Sequence, residues 1–219
     1  KIISFIAYTS LVIGLLIILI ISVSTSINIF ILVAACCFLG YLYQGPPFRL
    51  GYQGLGEPLC WLAFGPFAYS AVLIALNPSN IYFEDIPWKV SLLLGSGPSL
   101  ATTLVLFCSH FHQISEDKKH GKNSPLVRLG AKKGSQFVPW IIFTIYIFQL
   151  FTIVYGFIPV FCILYLLSFP QAIRLINLLK SSYAKPSAIK NCKFVAIKFQ
   201  TLNGIGLITG LIFNYLLNK

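Results

Sequence analysis

Residues 2–23, IISFIAYTSLVIGLLIILIISV, run without a charged side chain. A helix needs about 20 mostly apolar residues to cross the hydrocarbon core of a bilayer, and this stretch has that length. Inside lipid the backbone must satisfy its own hydrogen bonds, which leaves helices or closed barrels. A barrel strand alternates apolar and polar positions, and this run does not. Working outward, six further apolar runs follow, at residues 27–43, 58–76, 88–109, 137–155, 157–176 and 202–217. The first run lacks a convincing cleavage site and other spans follow it, so it reads as a span and not as a secretory leader. The sequence predicts an all-α fold, a polytopic transmembrane helix bundle of seven spans in one membrane-embedded domain over 1–219. Near Gly156 the division stays open: two spans, or one long stretch broken there.

Composition supports the same class. Of the 219 residues, 57% are hydrophobic and only 10% charged, against about 25% charged in soluble domains. That leaves too little charge to cover a water-soluble surface. The net charge of +11 raises the question of nucleic acid, but the basic residues lie in short segments between apolar runs. With the N-terminus on the basic side and alternating spans, Lys89 and Lys219 alone of the sixteen Lys and Arg fall on the opposite side, where the acidic pair Glu84 and Asp85 also lies. This is the positive-inside pattern of a membrane protein and not a basic groove, so no nucleic-acid partner is expected. The six Cys form no C-x-x-C, and five sit within or at the edge of apolar runs, where Cys acts as a small hydrophobe. No Met occurs, even at position 1, so the sequence is expected to be part of a longer chain.

Three connections on the basic side are long, at 44–57, 110–136 and 171–201, whereas the opposite side has short ones apart from 77–87. Chemistry is therefore expected on the basic side. Residues 186–200 mix Lys190, Lys193 and Lys198 with Phe194, Val195 and Phe199. They read equally as an interfacial segment or as a solvated linker.

Residues 109–130, SHFHQISEDKKHGKNSPLVRLG, become polar where the fourth span ends. If that helix continues, Gln113 and Asp117 lie four apart on one face. Such an oxygen pair suits Mg2+, which takes carboxylates and water and bridges to phosphate oxygens. Lys118, Lys122 and Arg128 are then placed to neutralise a pyrophosphate. The plainer reading is a charged loop obeying the positive-inside rule. Residues 43–58, YQGPPFRLGYQGLGEP, hold four Gly and three Pro, hence a shaped loop. Within it Arg49 is a phosphate candidate, Glu57 an anchor for a ligand or a neighbouring helix, and Tyr43 and Tyr52 sit at the membrane edge; a structural turn explains the same residues. His110 and His112 diverge by about 200° on a helix, so a shared zinc site is not expected. Gly95-Ser96-Gly97-Pro98 lies inside an apolar run and reads as a kink or a close packing point.

Together the two polar stretches resemble the UbiA superfamily of intramembrane prenyltransferases, in particular its 1,4-dihydroxy-2-naphthoate branch. That branch has a loop ending G-Y-x-G-L-G-E, here Gly51-Tyr52-Gln53-Gly54-Leu55-Gly56-Glu57. Its second aspartate-rich motif, N-x-R-D-x-x-x-D-x-x-x-G-K-x-T-L-A-V-x-L-G, is matched in register at Gly121-Lys122, Val127 and Leu129-Gly130. Asp117 falls on the second Asp, Ser124 on the Thr, and Gln113 on the first Asp. Residues 107–113, with Ser124-Pro125 and Val127-Arg128-Leu129-Gly130, are similar to the cyanobacterial and plastid form, which attaches a phytyl chain on the way to phylloquinone.

The resemblance implies an Mg2+-dependent enzyme. Its partners would be a prenyl or phytyl diphosphate, 1,4-dihydroxy-2-naphthoate and the lipid bilayer of a plastid, thylakoid or bacterial membrane. Asp117 is then the metal ligand with Gln113 beside it. Arg49, Lys122 and Arg128 contact diphosphate, and Tyr43, Tyr52, Glu57, His110 and His112 line the polar end of the cavity. The family normally has nine spans and a first N-x-x-x-D-x-x-x-D motif near the end of its second. Neither that motif nor its two spans is found here, so the chain is expected to lack the first two helices and to be inactive alone. Gln113 is a second departure, a weaker metal ligand than Asp. The rival expectations are a family member with another aromatic acceptor, and a seven-helix transporter, receptor or non-catalytic subunit.

Overall fold

Ser22, Ser24 and Thr25 turn their hydroxyls back onto the carbonyls of Leu19 and Ile21, at 2.7–2.9 Å, and Ser26 then caps the next helix by accepting the Asn28 N–H. These hydroxyls compete with the helical ladder, which is why the chain breaks between α1 (Ile2–Ser24) and α2 (Ile27–Gln44). The computed structural model describes residues 2–77 and 82–219, and among these every regular element is helical. Part of the 77–87 connection, residues 78–81, lies outside the described residues, as does Lys1.

After α2 come α3 (Gly56–Leu62), a π-turn (Ala63–Phe67) and α4 (Ala68–Leu76), which act as one span. The π-turn holds Pro66; proline has no N–H and crowds the preceding turn, and one extra residue per turn accommodates it. Then follow α5 (Trp88–Ser109), a 3-10 turn (His110–His112), α6 (Ile114–Lys119) and α7 (Pro125–Val154). A 3-10 segment (Val160–Ser168) runs into α8 (Phe169–Ser182), followed by α9 (Pro186–Ile189) and α10 (Cys192–Leu217). Seven helical stretches are long and apolar enough to cross a membrane, so the chain is a polytopic helical membrane protein. At Gly156 (φ 72) the N–H groups of Gly156 and Phe157 return to the carbonyls of Ile153 and Thr152. This left-handed turn divides the ambiguous stretch into two spans.

The helices outrun the apolar runs that announced them. The connections read as 110–136 and 171–201 are largely helical: α7 starts at Pro125, α8 reaches Ser182 and α10 starts at Cys192. Hydropathy falls at the first charges, but a helix continues while one face stays packed. Ala172, Leu175 and Leu179 on α8, and Cys192, Val195, Ala196 and Phe199 on α10, recur at helical spacing and are buried. Residues 192–200 are thus the packed first turns of α10. Inside α7, Gly130 is non-helical (φ 77, ψ 157), so residues 125–129 form a headpiece offset from the span.

The main core joins α5, α7, α8 and α10 around Leu104, Ile145, Leu175 and Phe199. A smaller one joins α2, α4 and Ile86. Several polar groups inside the spans are paired. Gln149 and Asn203 exchange two amide hydrogen bonds of 2.6 and 3.0 Å, and Ser70 meets Ser91 at 2.7 Å, as expected where water is absent. Large apolar side chains such as Ile20, Trp140 and Leu216 face outward, which lipid tolerates and water does not.

Candidate functional site

Residues 45–55 fold back on the last turn of α2. The N–H groups of Leu50 and Gly51 donate to the carbonyls of Leu42 and Tyr43, both at 2.9 Å. This packs the Tyr43 ring against glycine: a Cβ on Gly56 would lie 2.6 Å from Tyr43 Cε2, and one on Gly51 would lie 2.8 Å from Tyr43 O. Gly54 (φ 76) sits where the same loop meets residues 123–128, and a Cβ there would lie 2.7 Å from Asn123 O. Two hydrogen bonds close that seam, from Asn123 N–H to Tyr52 O at 2.7 Å and from the Arg128 guanidinium to Gln53 O at 2.5 Å. The glycine spacing of the loop is thus explained by what each glycine touches.

α3 starts at Gly56, so Glu57 lies in its first turn. It meets groups from two other connections. His110 ends α5; its Nδ1 lies 3.1 Å from Asp117 Oδ2, and its Nε2 lies 3.9 Å from Glu57 Oε1. Lys122 follows the left-handed Gly121 (φ 69) and donates its backbone N–H to Asp117 O at 2.8 Å. Its Nζ then stands 3.5 Å from Asp117 Oδ1. All four side chains are largely buried, from 5% exposed for His110 to 13% for Glu57 and Lys122. Asp117 is therefore engaged at both oxygens. Glu57 is not: among the described residues both of its buried oxygens lack a hydrogen-bond partner, since 3.9 Å is beyond hydrogen-bond reach.

The remaining candidates lie around this cluster. Arg49 is exposed, with its guanidinium 5.8 Å from the centre of the Tyr52 ring. Arg128 is also exposed and holds the loop seam. His112 lies within electrostatic reach of Lys190 and Lys193. Gln113 sits at the junction of the 3-10 turn and α6 (φ −104, ψ 0), and its carbonyl accepts the Asp117 N–H at 2.7 Å. Its side chain makes no hydrogen bond among the described residues.

Next to the cluster lies a chamber of about 880 Å3, whose lining includes Tyr43 of the candidate residues. Its walls are α2, α3–α4 and α5, with Gln200 of α10 closing one side by a 2.7 Å hydrogen bond to Thr102. Tyr43 and Ser109 stand at the end nearest His110. From Tyr43, one face of α2 continues through Gly40, Cys37, Cys36 and Val33. That helical spacing is the spacing of an ordinary packed face as well, so it does not by itself mark a chamber wall. The lining is almost wholly apolar.

Mg2+ uses one or two protein carboxylates and completes its shell with water and substrate phosphate. Among the described residues no three His, Cys, Asp or Glu converge as a closed metal cage. Asp117 offers hard carboxylate oxygens near the polar end of the apolar chamber, and as a single carboxylate it fits one ligand of an open site of that kind.

A family model described as the UbiA prenyltransferase family matches residues 3–197. The chain is 37% identical over 179 residues to a 2-carboxy-1,4-naphthoquinone phytyltransferase of Synechocystis sp., covering 82% of this chain and 56% of that protein. It is 38% identical over 191 residues to the chloroplastic 2-carboxy-1,4-naphthoquinone phytyltransferase of Arabidopsis thaliana, covering 86% and 50%. The chain thus spans about half the length of these curated relatives. No solved structure matches it.

Proposed function

The chain belongs to the UbiA prenyltransferase family, and from that membership we propose that it serves to transfer a prenyl chain, phytyl first among them, from its diphosphate to 1,4-dihydroxy-2-naphthoate. The observation that carries this reading is an apolar chamber whose lining reaches Tyr43 and Ser109, next to one compact group of Glu57, His110, Asp117 and Lys122. A molecule with a long apolar tail and a diphosphate head has the same polarity pattern. The tail lies in the chamber, and the head meets Lys122 and the carboxylates.

The family generally works with a divalent metal, and here Mg2+ is proposed on Asp117. When bound, it draws off charge that builds on the diphosphate as the allylic C–O bond breaks. Lys122 adds a fixed positive charge in a site with little water, where such stabilisation is strongest. Arg49 and Arg128 shape the loop that covers the head. The apolar walls keep water from the allylic cation. The ring carbon bearing the carboxylate attacks the cation and forms the new C–C bond. The carboxylate leaves as CO2, and its bonding pair returns to the ring. No net redox change occurs.

The relatives' names give the acceptor as the quinone. A quinone is electron-poor, and capture of a carbocation needs an electron-rich ring, so the dihydroxy form is proposed as the reactive one. The product then belongs to phylloquinone or menaquinone synthesis. The test is an assay of the whole gene product with phytyl diphosphate and the acceptor, run with the acceptor reduced and oxidised, and with Mg2+ or a chelator. Turnover with the reduced acceptor that a chelator abolishes and Mg2+ restores is expected. Equal turnover with the quinone overturns the redox assignment, and absence of any prenyl product overturns the reading.

A further inference from the structure

Gln200 and Thr102 are polar side chains in a chamber wall that is otherwise almost wholly apolar. Thr102 stands on α5, seven residues before Ser109, which places it about 10 Å along the helix from the polar end of the chamber. Its hydroxyl donates to the Pro98 carbonyl at 3.2 Å and accepts from Gln200 Nε2 at 2.7 Å. The hydroxyl and the amide N–H thereby satisfy each other, so an apolar tail can lie against them without stranding a donor.

The same two residues also line a second cavity, of about 400 Å3. Its wall includes Pro98 and Ala101 of α5 and Asn203, Gly204, Ile205 and Ile208 of α10, and the two isoleucines are exposed on the outer face of the bundle. The contact between Gln200 and Thr102 therefore stands between two spaces. It is a contact of side chains, and a single hydrogen bond is given up at modest net cost, whereas packed helices do not yield in this way. Asn203 lies three residues beyond Gln200 on the same face of α10. A Gln200 amide that swings away from Thr102 thus turns toward a polar neighbour in the second cavity.

We infer that Gln200 and Thr102 are specificity-determining residues for the length of the prenyl donor. With their hydrogen bond closed the tail is confined to the chamber, and with it open a longer tail extends into the second cavity. The inference rests on the prenyl-transfer reading above. In that reading the donor's head is held beside Lys122, so the length of the tail decides whether it must pass the pair. A tail that fits within about 880 Å3 leaves the bond intact. A longer one has to displace Gln200, a penalty that the shorter donor escapes. Opening the partition adds a little under half of the chamber's own volume.

The test is a competition in the whole gene product between geranylgeranyl and octaprenyl diphosphates, with the reduced acceptor, read as the ratio of the two products. These donors share one allylic head and differ only in the number of isoprene units. Absence of any prenyl product with the wild-type protein overturns the prenyl-transfer reading and the inference together. Given wild-type turnover, Gln200→Ala is expected to shift the ratio about tenfold toward the octaprenyl product. Gly204 lines the second cavity, and a Cβ there meets nothing within 4 Å. Adding Gly204→Leu to Gln200→Ala fills that space and is expected to return the ratio to its wild-type value. An unchanged ratio in Gln200→Ala, or a shift that survives Gly204→Leu, overturns the inference while leaving prenyl transfer standing. Should Gln200→Ala fail to fold, Thr102→Val, which removes the acceptor and nearly keeps the shape, is read against the same two outcomes.

Discussion

His110 and Asp117 are joined from Nδ1 to Oδ2 at 3.1 Å across the turn that separates α5 from α6. The bond ties the short helix carrying Asp117 to the end of a long, packed one, and it leaves Nε2 facing Glu57. A buried histidine that orients a carboxylate in this way acts on the carboxylate's ligand without touching substrate. His110→Ala is therefore expected to raise the Mg2+ concentration for half-maximal prenyl transfer about tenfold. His110→Asn, which keeps a donor near Asp117, is expected to recover most of that loss. A loss of active protein with no change in Mg2+ dependence marks His110 as merely structural.

Asp117 carries the larger consequence. Asp117→Ala removes the proposed ligand and leaves Lys122 without its partner, so prenyl transfer is expected to fall by about a hundredfold or more. Steady-state turnover of the whole gene product checks this, and normal turnover removes Asp117 from the metal site.

The chamber makes a separate prediction at Gly40. This glycine lines the cavity one helical turn from Tyr43, and a Cβ there meets nothing within 4 Å. Gly40→Phe therefore projects a ring into the space proposed for the prenyl tail. Discrimination between a short allylic donor and phytyl diphosphate is expected to shift about tenfold toward the short donor. Competition between the two donors in one reaction measures it, and an unchanged ratio places the tail elsewhere.

Two glycines on α10 separate packing from propensity. A Cβ on Gly206 would lie 2.1 Å from Leu164 O, whereas one on Gly204 meets nothing within 4 Å. Gly206→Ala forces α10 away from the 3-10 segment and is expected to destabilise by about 1–3 kcal/mol. Gly204→Ala gains helix propensity and is expected to be neutral or stabilising by up to about 1 kcal/mol. Thermal unfolding in detergent ranks the two, and equal effects contradict the observed crossing.

The membrane class was legible from residues 2–23 onward because burial in lipid needs only length and apolar character, both local properties. Helix ends were less legible: residues such as Pro125 and Cys192 begin helices in polar sequence, held by faces that pack against distant partners. Asp117 and Lys122 stood close enough in sequence to be read as one group. Glu57 and His110 meet across separate connections, and no spacing rule links positions so far apart. Gln113 showed the opposite difficulty. Four residues from Asp117, it satisfied a helical face rule, but among the described residues its side chain takes no hydrogen bond, and the continuous helix assumed for it breaks at that residue.

Three of the six cysteines, Cys36, Cys37 and Cys60, line the chamber, whereas Cys108, Cys162 and Cys192 are fully buried among helices. The molecule therefore carries its own occupancy sensor. An alkylating probe small enough to enter has access to the first group and not to the second. The speed of tagging then reports, in unaltered protein and without any turnover, whether a long-chain lipid is resident.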